Sequence, residues 1–168
     1  MPAAVVANTI VRTVELGVTI TDAAIDDEVT VVSCDLLDDG QRSCPGCGTE
    51  GRYRDTVIRT VTDVPVVGHP LRLHVRVPRY RCVATDCQRE VFAHNTERLA
   101  RRGASTTRRC SRHICRRLMI DRATVAAVAR ELGLAWDTVN TIAMDATATI
   151  VATDTRSATS PTPRSPRC

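Results

Sequence analysis

The chain contains no lysine: all 23 of its basic residues are arginine. GC-rich coding DNA favours arginine codons and accounts for most of that bias. The physical consequence holds whatever the cause, because a guanidinium binds phosphate bidentately where an ammonium cannot. Aromatic rings are almost absent as well. Tyr53, Tyr80, Phe92 and Trp136 are the only four in 168 residues. With 43% hydrophobic residues a core can form, but it buries little area per residue, and small modules of that kind need a staple. No apolar run approaches the roughly 20 residues of a membrane helix. The first residues, MPAAVVANTIVRTVELGVT, carry no basic n-region and no small-residue cleavage site after an apolar stretch, so no secretory leader is expected. These absences point to a cytoplasmic chain without a membrane partner.

Cysteine, by contrast, is plentiful, with eight residues. In a reducing compartment cysteine clusters read as metal or redox sites rather than disulfides. Cys44-Pro45-Gly46-Cys47-Gly48 is a C-x2-C knuckle, followed after 34 residues by Cys82 and Cys87 in a C-x4-C pair. Two residues between cysteines aim both thiolates at one ion. Pro45 stiffens the turn, while Gly46 and Gly48 let it be sharp. Four thiolates make a closed tetrahedral shell, which is a structural site, and Zn2+ is the default metal. A thiol redox pair at Cys44 and Cys47 would need a neighbouring βαβ pattern, and only strands are predicted there. Cys34 ends an apolar strand and reads as core. Cys110 and Cys115 lie in a helical stretch where five positions turn through about 500°, too far to face one ion, and read as core also. Cys168 has no assigned role. His69, His74, His94 and His113 read as surface or turn residues, since the shell is already full.

The net charge of +4 conceals an asymmetry. Residues 1–40 hold one Arg against eight acids, residues 41–120 hold 17 Arg against six, and residues 121–168 balance. An acidic start before a basic middle points to a polyanion-binding surface in the middle.

Hydrophobic periodicity divides the chain in two. Residues 4–16 read as a short helix or irregular lead-in, and 17–25 and 28–34 as a β-hairpin. Residues 52–62 form a strand, and Val64 to Pro70 a turn. Leu71, Leu73, Val75 and Val77 then alternate with Arg72, His74 and Arg76, an amphipathic strand running into Cys82. From about Thr106 the period becomes helical. Cys110, Ile114 and Leu118 share one face. A second helix fits Arg122–Leu132, ended by Gly133, and a third fits Trp136 to about Ala148. The predicted fold is α+β: a small zinc-ribbon-like β module over 1–97 and a basic linker over 98–105. A three-helix, helix-turn-helix module follows over 106–150, and then a disordered tail over 151–168.

Residues 98–117 carry Arg98, Arg101, Arg102, Arg108, Arg109, Arg112, Arg116 and Arg117 and no acid. A charge run is usually a solvated face, but like charges this dense repel one another and are better explained by an anionic partner. Phosphate contact would give salt-sensitive, sequence-independent affinity. The second and third helices, with the Gly133–Leu134–Ala135 turn, match a helix-turn-helix. The third would enter the major groove with Asp137, Thr138, Asn140 and Thr141 outward, and Asn can bond adenine bidentately. Ala135 stands where a capping Ser or Thr is preferred, and a plain helical hairpin is the alternative.

The ordered set of parts resembles one family. Cys44-Pro-x-Cys47-Gly, the basic strand ending Arg79–Cys82, the second cysteine pair, Phe92, the arginine-rich segment and VAAVARELGLAWDTVN are similar to the N-terminal half of bacterial insertion-sequence transposases of the ISL-three family. The resemblance covers about residues 8–150. It implies zinc ligation by Cys44, Cys47, Cys82 and Cys87, and a helix-turn-helix at about 122–148. It also implies binding to double-stranded DNA at the terminal inverted repeats of a mobile element. Two-fold repeats would suit a homodimer. Proteins of the family continue into a catalytic domain with three metal-binding carboxylates, whereas this tail offers only Asp154, so no transposase chemistry, no enzyme activity and no small-molecule substrate are expected. The aperiodic tail reads as translation out of the original frame, testable by sequencing the locus for the missing domain. A different class of function, a freestanding zinc-ribbon adaptor contacting protein through its acidic hairpin, predicts no salt-dependent DNA binding.

Overall fold

In a computed structural model residues 3–37 and 39–158 are described. The elements run α1 (Ala3–Val11), a 3-10 turn (Thr13–Leu16), β1 (Val18–Asp26), β2 (Val29–Leu36), β3 (Arg52–Val66), β4 (His69–Arg81) and β5 (Val91–Ala93). Three helices follow: α2 (Arg108–Met119), α3 (Val125–Leu132) and α4 (Trp136–Ala158). This is the α+β class expected.

The sheet order is β1-β2-β4-β3, and β5 also pairs with β4. Strand β4 is the spine. It pairs antiparallel with β3 along its length and parallel with β2 over Leu71–Arg76. Where β2 ends, β5 takes its place against Arg79–Arg81. The alternation read in the sequence is realised. Leu71, Leu73, Val75 and Val77 are buried, and Arg72 and Arg76 are exposed. Val18, Ile20, Val32, Cys34 and Val61 complete the same core. Each such side chain contributes about 1.5–3 kcal/mol by leaving water.

The expected turn over Val64–Pro70 shrinks to two residues. Val67 and Gly68 both have positive φ, 53° and 83°, the type I′ geometry whose twist matches a tight hairpin. Pro65 does not end β3, because it lies in a register shift between Asp63 and Val66, where its missing N–H costs no ladder bond.

Segment 98–105, read as a linker, is built into the fold. Leu99 and Ala100 are fully buried in the sheet core. The Thr62 N–H donates to the Ser105 carbonyl at 2.8 Å and the Thr107 N–H to the Thr62 carbonyl at 2.9 Å, extending the outer edge of β3. Two apolar residues between arginines are too short a signal to register as periodicity. The helices therefore sit on the sheet. Val64 packs into their core of Cys110, Ile114, Val128, Ala129, Leu132 and Val139, and the Gly133 turn lies against Pro70.

Local chemistry sets the helix ends. The Thr107 hydroxyl accepts from the Cys110 N–H and caps α2, and the Thr124 hydroxyl accepts from the Ala127 N–H and caps α3, each such cap contributing about 1 kcal/mol. Helix α3 starts at Val125 instead of Arg122 because Arg122 is left-handed, at φ 54°. At its other end Leu134 N–H reaches the Ala129 carbonyl and Gly133 N–H the Arg130 carbonyl, with Gly133 at φ 60°. That bond pair is the Schellman motif. Helix α4 runs past its expected end near 148 to Ala158, since no glycine or proline interrupts the chain before Pro161. The remainder of the tail expected to be disordered lies outside the described residues. Among the described residues no helix is long and apolar enough to cross a membrane.

Candidate metal centre and nucleic-acid interface

The long β3–β4 hairpin brings the two cysteine pairs together. It leaves the first knuckle at Arg52 and returns at Arg81, one residue before Cys82. The sulfurs of Cys44, Cys47, Cys82 and Cys87 all lie within 4.8 Å of one another. Cys44 Sγ is 3.8 Å from Cys87 Sγ, and Cys47 Sγ is 3.5 Å from Cys82 Sγ. A tetrahedral shell with Zn–S bonds of about 2.3 Å places its sulfurs about 3.8 Å apart. These separations fit it and are far too long for disulfides.

Both knuckles turn backbone N–H groups onto the sulfurs. Gly46 N–H donates to Cys44 Sγ and Arg89 N–H to Cys87 Sγ, each at 3.4 Å. The first knuckle is closed by Gly48 N–H to the Cys44 carbonyl and Cys44 N–H to the Thr49 carbonyl, both 2.8 Å. Hydrogen bonds from Thr49, then from Cys82, lower the Cys47 thiol to about 6. The Gly46 N–H likewise lowers Cys44. Cys82 receives a hydrogen bond from Ala84 that favours its thiolate, but desolvation and the neighbouring sulfurs outweigh it and raise the thiol. Four sulfurs this close cannot all ionise alone, and a dication is what lets them do so.

Behind the sulfurs, Tyr80 and Phe92 pack with ring centroids 5.6 Å apart, together with buried Cys44. Two of the chain's four aromatics are therefore spent on this end. Gly51 is required there. A Cβ on it would lie 2.5 Å from Phe92 Cζ and 2.9 Å from Tyr80 Cβ. Gly51 carries no sequence signal, because its demand is close approach and not a turn.

Among the described residues, the other cysteines lie apart from the cluster. Cys34 and Cys110 are fully buried, and burial pushes each thiol up to about 12. Cys115 is half-buried. His94 lies 3.3 Å from Asp39, and His113 lies 3.2 Å from Glu131.

The eight arginines of 98–117 divide into two groups. Four are tied into the framework. Arg98 donates to the Val14 and Glu15 carbonyls, and Arg108 to the Glu97 carbonyl. Arg109 pairs with buried Asp63, and Arg117 pairs with Glu131 and Asp121. Arg101, Arg102, Arg112 and Arg116 are exposed, and none of their side chains makes a hydrogen bond or ion pair among the described residues, although Arg112 lies near enough to Glu15 to help lower its carboxyl. Arg122 and Arg130, not singled out by the charge run, are exposed and unpaired in the same way. Arg101, Arg108 and Arg112 line a groove of about 660 Å³ between α2 and α4, floored by Ile142 and Ala146. On α4, Asp137 and Thr141 are exposed, while Thr138 and Asn140 are half-buried.

Residues 40–87 match the family model described as the zinc-finger of transposase IS204/IS1001/IS1096/IS1165. The match contains all four clustered cysteines and ends on Cys87. No curated protein and no solved structure matches the chain. The four cysteines fit a structural Zn2+ site on both counts, by sequence family and by geometry.

Proposed function

We propose that this chain is a zinc-stapled DNA-binding module of an ISL-three-type transposase, and that it binds the terminal inverted repeats of its element. The observation that carries the reading is the set of exposed, unpaired arginines, Arg101, Arg102, Arg112 and Arg116, beside the α3-turn-α4 pair. Exposed guanidinium groups outside any ion pair are open to phosphate, and each grips it with two bonds. Helices α3 and α4, with three residues between them and a Schellman glycine at the turn, serve as the helix-turn-helix. Helix α4 enters the major groove with Asp137, Thr138, Asn140 and Thr141 toward base edges. The zinc-finger match supports a transposase origin for the β end.

In this reading the work is division of labour. Zinc fixes one end of the hairpin, the sheet core carries the other, and the helices present the basic face. No step of phosphoryl transfer is assigned to these residues. The test is DNA binding by Arg112→Ala/Arg116→Ala. Affinity should fall uniformly across sequences, and the slope of log K against log salt should drop by about one per arginine. Unchanged affinity and slope would remove these two residues from the interface. Failure of the parent protein to bind DNA at low salt would instead favour a protein-binding adaptor, presenting the exposed acidic β1–β2 tip at Asp26, Asp27 and Glu28.

A further inference from the structure

A second cluster of unpartnered charge lies at the opposite end of the molecule. Arg52 and Arg81 are directly opposite each other across β3 and β4. Cross-strand partners have Cβ atoms about 4.5–5.5 Å apart, and like charges in that position destabilise a sheet. Both are exposed, and neither guanidinium has a hydrogen-bond or ion-pair partner among the described residues. The contrast with the adjoining pair is direct. Arg79 faces Asp55 in the register and holds both its carboxylate oxygens at 2.6 Å. The same ladder thus neutralises one arginine and leaves two together.

Alternation along the ladder also places this pair on one face of it. Arg81 and Arg79 continue the alternation of Val77, Val75, Leu73 and Leu71 on β4, but burial on that face ends at Val77 and passes to Tyr80 on the other face. By that alternation Arg81, and Arg52 opposite it, share a sheet face with Asp63, which holds Arg109 of α2. The helices meet the hairpin near Pro70. From Pro70 to Arg81 the strand covers about 36 Å at about 3.3 Å per residue, close to the 34–36 Å of one turn of B-form DNA.

We propose that Arg52 and Arg81 form a second phosphate clamp, gripping the same duplex about one helical turn from the helix-turn-helix. The sheet then acts as a ruler between the two contacts. The inference rests on the DNA-binding reading and extends it to the zinc end. A competing role for the pair is local: four thiolates around one dication leave excess negative charge, which nearby guanidinium groups offset. That role predicts an effect on zinc retention and none on DNA.

The experiment compares salt titrations on mixed-sequence duplexes of about 30 and about 12 base pairs, the shorter holding little more than one turn. Wild-type protein should show a steeper slope on the longer duplex, by about two, one for each arginine. Arg52→Gln/Arg81→Gln should lose that increment on the longer duplex and match wild type on the shorter. Arg72→Gln, on the opposite sheet face, should leave the slope unchanged. Zinc content is measured on every sample. An equal slope for wild type on both duplexes overturns the proposal without needing a variant. So does a double variant that binds the longer duplex with the wild-type slope, whatever its zinc content. In both cases the DNA-binding reading stands. Only a wild-type protein that binds neither duplex overturns both.

Discussion

Asp63 holds Arg109. The carboxylate is fully buried on β3, and the guanidinium of α2 reaches it with Nε at 2.9 Å from Oδ1 and 3.1 Å from Oδ2. Thr107, the cap of α2, donates its hydroxyl to the same carboxylate at 2.6 Å, and Arg109 also reaches the Val11 carbonyl at 2.9 Å. One ion pair thus ties α1, the sheet and the helices together. Removing Arg109 strands the buried Asp63 carboxylate, which costs about 3–5 kcal/mol. Arg109→Ala should therefore destabilise the fold far more than Arg112→Ala, which should change stability by less than about 0.5 kcal/mol. Urea unfolding of the two variants checks this, and equal losses would contradict it.

Metal removal should act on one end first. Chelation, or Cys47→Ser, takes away the ion that lets four close sulfurs ionise, and the Tyr80–Phe92 cluster then loses its anchor. Structural zinc contributes on the order of 10 kcal/mol in small modules, so a large drop in melting temperature is expected. Zinc affinity should also fall as pH falls, because protons compete for the thiolates. Metal analysis with thermal melts from pH 8 to about 5 follows both. A melt unmoved by chelation would count against the zinc staple.

Val67 sits at φ 53° and is 90% exposed, a left-handed position that a β-branched residue fills poorly. Asn before Gly is the preferred type I′ pair. Val67→Asn should raise stability by about 1 kcal/mol, measured by denaturant midpoint. A loss would mean that the turn adopts another geometry.

The bidentate grip of Arg79 holds the Asp55 carboxyl below its ordinary value. A depressed acid adds stability above its unfolded pKa, and that stability is lost as pH falls through the folded value. Asp55→Asn should consequently lower the melting temperature at pH 7 and flatten its decline below about pH 4. Parallel melting curves at all pH values would refute that assignment. Both side chains remain more than a third exposed, so the effect is small.

Much of this is legible in the amino-acid sequence. The period-2 pattern from Leu71 to Val77 gave β4 and its buried face. The spacing of Cys44, Cys47, Cys82 and Cys87 gave the metal cluster, and Gly133 gave the end of α3. Long-range pairing was not legible. Arg109 and Arg112 are equivalent in a charge run, and only the tertiary position of Asp63 separates a framework residue from an exposed one. Leu99 and Ala100 look like linker in the sequence because two apolar residues have no period. Arg52 and Arg81 lie 29 positions apart in the chain, and only the hairpin register makes them neighbours. Pro65 misplaced the turn, since a bulge that accepts proline leaves no mark of its own in the sequence.

The most direct test of the account is one salt titration. Zinc-loaded protein is mixed with a fluorescent duplex of about 30 base pairs, and anisotropy is read between about 50 and 200 mM salt, where a protein making several phosphate contacts loses affinity steeply. Tight binding at the low end that falls by orders of magnitude across the range is the predicted result. No binding at the low end, with zinc still present, would contradict it.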